Sequence, residues 1–258
     1  MAEEVRPERL RFDSVQIGGA DPDATARAYA LLLGLEPVRL HSGALRFQLD
    51  RGAVDVVAGA PGLRSLSFAC AEGDVAGVDF HGLDVRTTPV VAPHPSMGRG
   101  APEAAGEPTP DRGGSVRDTS PAPDAIRAID HVVIASSHAE RAIALWRDRL
   151  GLRQALDREF PERGLRMLFF RTGGVTLEIV TAIGAADASA RDLLNGVAYE
   201  VADLAACRAR LLAAGLDVSG VRDGNKRGTR VATVRSRTEG VPTLLIEHVD
   251  RAAWRADG

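Results

Sequence analysis

Ala128-Ile129-Asp130-His131-Val132-Val133-Ile134 restates, 117 positions later, the stretch Arg11-Phe12-Asp13-Ser14-Val15-Gln16-Ile17. Gly151-Leu152 stands at the same remove from Gly34-Leu35. Further on, Phe170 to Val180 (FRTGGVTLEIV) matches Phe47 to Val57 (FQLDRGAVDVV), which sets Glu178 opposite Asp55. A strand, a helix ending in Gly-Leu and a later strand bearing a carboxylate have been duplicated, and the repeated unit is what must pack first. The copies differ where chemistry would sit. One carries His131 and Glu178, the other Ser14 and Asp55.

Working outward, Ile129 to Ala135 is β-branched and apolar and predicts a strand. Ala139 to Leu150 spaces Ala142, Leu145 and Trp146 for a helix, which Gly151 ends in the manner of a left-handed cap. Leu165 to Phe170 and Val175 to Val180 predict two strands joined by the turn signal Gly173-Gly174. The pattern then starts again: a strand at Gly196 to Val201, a helix at Leu204 to Ala214 closed by Gly215, and strands at Arg230 to Val234 and Thr243 to Val249. This half therefore reads as two successive β-α-β-β-β units. The N-terminal half holds one such unit, residues 11–60, and a shortened second from Leu63 to Val91, where Asp74 to Val78 is too short and too rich in Gly and Val for a good helix.

Ser96 to Asp124 is dense in Pro, Gly, Ser and charge and cannot bury enough surface to offset its ordering entropy. The expected organisation is a degenerate domain at residues 8–95, a flexible linker at 96–125 and a complete domain at 126–252. The expected fold class is α+β, with tandem β-α-β-β-β units forming curled mixed sheets.

The 258 residues are 45% hydrophobic and 26% charged, ordinary globular values. A net charge of −3 gives no reason to expect nucleic acid or an anionic membrane as partner. Lys226 is the only lysine among 32 basic residues, a bias that points to a GC-rich genome rather than to function. Two unpatterned cysteines, Cys70 and Cys207, suit a reducing compartment, and the polar N-terminus has no apolar leader, so a cytoplasmic location is expected.

Alternation along a strand puts residues i and i+2 on one face. His131 shares a face with Val133, and Thr176, Glu178 and Val180 share another. In the second unit the matching faces carry Gly196, Ala198 and Glu200, then Leu245, Glu247 and Val249, with His248 turned away toward the surface. An imidazole with two carboxylates suits a borderline divalent cation (Zn, Ni, Fe, Mn or Co) at about 2.0–2.2 Å. The loop Asn225 to Arg230, with Lys226, Arg227 and Arg230, could close on an anionic substrate or be a solvated hairpin. Phe169 or Phe170 would line an apolar pocket, and of Arg166 and Arg171 at most one faces it.

The Ile129-Asp130-His131-Val132-Val133 start, the helix ending Arg149-Leu150-Gly151-Leu152, the Leu177-Glu178-Ile179-Val180 strand and the second unit together resemble the vicinal oxygen chelate superfamily. That group includes glyoxalase I, methylmalonyl-CoA epimerase, extradiol dioxygenases and antibiotic-resistance proteins. The resemblance covers residues 127–250 well and 10–92 faintly. It implies that each unit supplies one metal ligand from its first strand and one from its last: His131, Glu178, Gly196 and Glu247. Gly196 departs from the pattern, since a His is usual there and glycine has no side chain to coordinate. That disfavours the extradiol branch and leaves a His131-Glu178-Glu247 site. The implied function is a metal-assisted lyase or isomerase that forms an enolate on a small oxygen-rich metabolite, with Glu178 or Glu247 alternating between ligand and base and Glu200 as a second candidate base. The alternatives are a metal-free protein that sequesters an aromatic or antibiotic-like ligand, and a metal-free cyclase or epimerase using Glu200 or Glu247. Ser14, Asp55 and Ser65, at the equivalent N-terminal positions, are poor ligands, so that copy is expected to be structural or to form a homodimer.

Overall fold

The two duplicated stretches become the central strands of two sheets. A computed structural model describes residues 10–70, 75, 77–89 and 124–249, with the side chain of Pro89 excluded. In the N-terminal half, β1 (Leu10–Gly19), α1 (Pro22–Leu33), β2 (Val38–Arg39), β3 (Leu45–Gln48), β4 (Ala53–Ala58), β5 (Gly62–Cys70) and β6 (Val85–Pro89) form a sheet of order β2-β3-β4-β1-β5-β6. In the C-terminal half the chain runs β7 (Ile126–Ala135), α2 (Ala139–Ile143), β8 (Arg153–Phe160), β9 (Leu165–Thr172), β10 (Val175–Ala182), β11 (Leu193–Val201), α3 (Leu204–Ala213), β12 (Arg222–Asp223), β13 (Thr229–Val234) and β14 (Thr243–His248). Their order is β12-β13-β14-β11-β7-β10-β9-β8. Read from the other end, the six-stranded sheet repeats this order without counterparts of β12 and β13, with β1, β5 and β6 standing for β7, β11 and β14. The expected linker, residues 96–125, lies outside the described residues except for Asp124 and Ala125; of the weak helix at Asp74 to Val78, Asp74 and Ala76 lie outside them, and the Val78 amide donates to the Val75 carbonyl in a turn.

Local chemistry accounts for the element ends. The Asp21 side chain accepts from the Ala24 amide, proline opens α1, and Gly34 closes it at φ 72°. Gly151 takes the same left-handed φ of 72° in the second copy, where α2 first widens into a π-helical stretch, Ala144–Arg149. Strand β8 was not legible: its segment RQALDREF is charged and shows no apolar alternation, as befits an edge strand.

Helices cover one face of each sheet. Val132, Ile134, Leu177 and Ile179 are fully buried beneath α2, whereas His131, Val133, Glu178 and Val180 are half-buried on the open face. The buried residues of both halves form one continuous core. Trp146 packs on Phe68 and Phe80 across the halves, and Arg210 of α3 donates to the carbonyls of Leu31 and Leu32 that end α1. The sheet of the C-terminal half curls far enough that Arg163, after β8, donates to Asn225 Oδ1, after β12, at 3.1 Å. Among the described residues no helix is long and apolar enough to cross a membrane.

One irregularity is itself duplicated. Register between β7 and β11 passes from His131↔Ala198 to Ile129↔Tyr199, leaving Asp130 as an extra residue. The β1–β5 pair shifts likewise between Phe12 and Ser14, at Asp13. Such a bulge breaks the strict alternation of side chains.

Candidate functional site

The open face of the eight-stranded sheet is built in rows of residues facing each other across strands. One row runs Arg153 (β8), Arg171 (β9), Thr176 (β10), His131 (β7) and Ala198 (β11). The next runs Leu156, Phe169, Glu178, Val133 and Gly196. His131 Nε2 and Glu178 Oε2, from diagonal positions on neighbouring parallel strands, lie 3.5 Å apart. Because of the bulge, Asp130 also reaches this face. It takes a hydrogen bond from His131 Nδ1 at 2.7 Å and contacts His248 Nε2 at 2.8 Å.

The protonation states follow. Burial pushes the carboxyl of Glu178 above its ordinary value, against the opposing pull of His131. Burial alone would lower His131, but its hydrogen bond to Asp130 and the charge of Glu178 outweigh that and raise it. Burial would raise Asp130, yet the two imidazoles hold it well below the usual carboxylate range. The result is an imidazole oriented from behind by a firmly ionised carboxylate, facing a second carboxylate that holds its proton more tightly than usual.

The remaining expected residues are distributed differently. Glu200 is buried and ion-paired with Arg51, which reaches over from the β3–β4 turn of the N-terminal half. That turn is zipped to β7 itself, since Asp50 N–H donates to Arg127 O and Ile129 N–H to Arg51 O. Glu247 does not join His131 and Glu178. It lies on the helix-bearing face, accepting from Arg230 Nη2 at 2.6 Å and from the Leu204 amide at the start of α3. The reason is register. Val197 faces Thr243, so Gly196 faces Pro242, and the position that corresponds to Glu178 is Leu244. His248, expected at the surface, is instead the residue turned to Asp130. Phe170 is fully buried in the core on the helix side, and Phe169 is the aromatic residue on the open face. Arg230 is engaged by Glu247, while the Lys226 carbonyl closes a turn by accepting from Thr229. Lys226 and Arg227 lie in the loop between β12 and β13. Of the arginine pair, Arg171 faces the site and Arg166 binds Asp157 and Glu140 on the other side.

The N-terminal copy shows what became of the same positions. Arg46, from the position of Phe169, donates to Asp55 at 2.7 and 2.8 Å and to Asp13 at 3.0 Å, and reaches Ser14 Oγ at 3.3 Å. Its guanidinium, raised further by these partners, occupies the centre of the site. Ser65 is likewise used up, donating to Gln16.

Comparison with known proteins agrees with this architecture. Residues 130–233 match the sequence model of the Glyoxalase/Bleomycin resistance protein/Dioxygenase superfamily. That match lies within the C-terminal half and spans 104 of the 258 residues. Similar solved structures include a methylmalonyl-CoA epimerase from Mycobacterium tuberculosis, 20% identical, covering 50% of this chain and 93% of that one at a TM-score of 0.42. A hypothetical protein from Bacillus halodurans C-125 is 17% identical, with 48% and 95% covered at 0.40. A Streptomyces coelicolor methylmalonyl-CoA epimerase in complex with 2-nitronate-propionyl-CoA is 20% identical, with 49% and 100% covered at 0.39. No curated protein sequence matches the chain.

The superfamily implies a divalent metal, and the residues present do not fit its four-ligand centre. Only His131 and Glu178 stand at ligand positions. The others are Leu244 and Gly196, and a Cβ on Gly196 would come within 2.8 Å of the Pro242 carbonyl oxygen, so the backbone leaves no room for a ligand side chain there. Asp130, Glu200 and His248 do bring one donor atom each within 4.8 Å of one another. Asp130, however, is committed to two imidazoles, and Glu200 already holds the fixed positive charge of Arg51.

Proposed function

We propose that the open face of the C-terminal sheet is an acid–base site that moves a proton on a small oxygen-bearing metabolite, an isomerase or epimerase chemistry that runs without a metal centre. The observation that carries this reading is the Asp130–His131–Glu178 array, with His131 Nε2 and Glu178 Oε2 3.5 Å apart on a half-buried face. Catalytic acids and bases work best when their proton affinities lie near the working pH, and burial moves Glu178 in that direction. In its ionised form Glu178 takes the proton from a carbon next to a carbonyl. His131, held protonated by Asp130, donates to the carbonyl oxygen as charge develops on it. Return of the proton from Glu178 to the former carbonyl carbon, while His131 takes the proton of a hydroxyl on the carbon first deprotonated, gives the isomeric carbonyl compound and restores both side chains with no net loss of atoms. Phe169, Val133 and Met167 wall the face with apolar surface, which strengthens these electrostatic contacts. The N-terminal copy, its centre filled by Arg46, is read as structural support.

The test is proton exchange into D2O, followed by NMR over a panel of 2-oxo acids, hydroxy ketones and thioesters. The expected result is exchange at one class of carbon, reduced about 10²-fold or more in Glu178→Gln and His131→Ala and unchanged by chelator. Exchange that vanishes on chelation and returns with one divalent ion per chain would overturn the metal-free reading. Tight binding of a panel compound with no exchange would instead make the protein a ligand-sequestering one.

A further inference from the structure

We propose that the tips of the β8–β9 and β12–β13 hairpins form a clasp over the concave face of the C-terminal sheet, which opens to admit a substrate and closes to hold water out while a proton moves. The clasp rests on the reading of His131 and Glu178 as the reacting pair and adds how a molecule reaches them.

Strands β8 and β12 are the two outer strands of the eight-stranded sheet, so they are not ladder partners of each other. Helices α2 and α3 hold to one face. Glu140 of α2 pairs with Arg166 of β9, and the first amide of α3, at Leu204, donates to Glu247 of β14. The sheet curls away from them, with His131 and Glu178 on its concave side. This curl brings the outer hairpins together at their tips, where Arg163 Nη2 donates to Asn225 Oδ1 at 3.1 Å. Eight strands rolled in this way enclose room for side chains or one small ligand. The β3–β4 turn of the N-terminal half stands against the middle strands β7 and β11, so the way in lies on the side of the seam between β8 and β12.

The two tips are built alike, and each is fixed to its own unit. Gly164 and Gly228 end the two turns with left-handed φ of 64° and 74°. The Gly164 carbonyl accepts from the Ile183 amide just beyond β10, and the Gly228 carbonyl from the Val249 amide just beyond β14. Each hairpin is thus tied through the backbone to the strand that ends its unit, whereas the bond from tip to tip joins two exposed side chains. Such a bond exchanges with water at little net cost. No ladder bond breaks when the seam parts, so it is the place where the curl opens with least loss. Closed, it leaves the side chains of His131 and Glu178 only 16% and 15% exposed. Excluding water there strengthens the charges that proton transfer uses, the task that closing loops perform in many enzymes.

The experiment measures access to His131 in the full chain with diethyl pyrocarbonate, reading each histidine by peptide mass spectrometry against the exposed His41 as reference. Arg163→Ala and Asn225→Ala should each raise the rate at His131 about two- to tenfold, the shift from losing one exposed hydrogen bond, and leave His41 unchanged. Tying the tips of an Arg163→Cys, Asn225→Cys protein with a short bismaleimide should lower the His131 rate below that of the same protein capped with N-ethylmaleimide. Cys70 and Cys207 are buried and stand outside that reaction. Equal rates at His131 in the parent, both alanine variants and the tied protein would overturn the clasp, as would a rise shared by His41, which reports general loosening. If the cysteine pair fails to fold, the alanine variants decide alone, since both positions are exposed. Glu178-dependent proton exchange at full rate in the tied protein sinks the clasp and leaves the reacting pair standing. A clasp-protected His131 with no exchange on any compound sinks the reacting pair and leaves the clasp standing.

Discussion

Asp130 is the residue on which the site turns. It accepts from two imidazoles, and their hold on its ionised form overcomes the opposing effect of burial. A carboxyl whose proton affinity is depressed on folding stabilises the fold above its ordinary value of 3.8 and loses that contribution as pH falls through its folded value. Asp130→Asn should therefore cost about 1–3 kcal/mol at neutral pH, and the difference should shrink in strong acid. Thermal unfolding across pH measures it, and a constant difference would refute the assignment. Glu178 has the opposite sign. Its proton affinity is raised in the fold, so its contribution is present below the ordinary value of 4.5 and is lost as pH rises through the folded value. Glu178→Gln should accordingly raise the melting temperature at pH 7–8 relative to the parent, with the gain gone below about pH 4.5. Strand parity set His131 with Val133 and Glu178 with Val180, and the resemblance set the two side by side. Asp130 was not legible, because alternation sets neighbours on opposite faces and only the bulge turns Asp130 and His131 the same way. The one sequence signal was the presence of aspartate at both 13 and 130.

Elements explain why one glutamate was found and the other misplaced. Leu177-Glu178 and Leu245-Ile246-Glu247 look alike as letters, but the ladder pairs Gly196 with Pro242 and hence makes Leu244, not Glu247, the counterpart of Glu178. A strand's register depends on its partner, and a shift of an odd number of residues sends a side chain to the other face. The same ladder closes the gap at Gly196. Introducing the imidazole usual in the superfamily, by Gly196→His, should not restore a metal site. Its Cβ meets the Pro242 carbonyl at 2.8 Å, so the expected outcome is a loss of about 1–3 kcal/mol and no gain in divalent-ion binding by calorimetry. Tight ion binding by a stable Gly196→His protein would show that the backbone can yield. Strand β8, with its charged sequence, was invisible to periodicity. It was recruited as an edge by the apolar β9 beside it, and it brings Arg153 to the open face.

At the scale of the molecule, the degenerate copy is tied to the competent one. Its β3–β4 turn is hydrogen-bonded to β7 and sends Arg51 to Glu200, beside Asp130 and His248. Arg51→Met should break this ion pair and cost about 1–3 kcal/mol of stability, and Arg51→Met with Glu200→Gln should recover part of it, both read by thermal unfolding. Equal melting temperatures in the parent and both variants would mean that the two halves share only packing. That packing is itself extensive, since Trp146, Phe68 and Phe80 meet across the halves within a single core.

The duplication, the strands and helices that carry apolar periodicity, and the imbalance between a copy with His131 and Glu178 and one with Ser14 and Asp55 were determined by sequence, because apolar periodicity and turn residues act over a few neighbours. Only the tertiary structure decided that Glu247 leaves the site, that His248 and Asp130 enter it, and that Arg46 plugs the N-terminal copy. Those outcomes depend on register, bulges and the meeting of distant strands, which are set by the free energy of the whole assembled sheet rather than by any local stretch of chain.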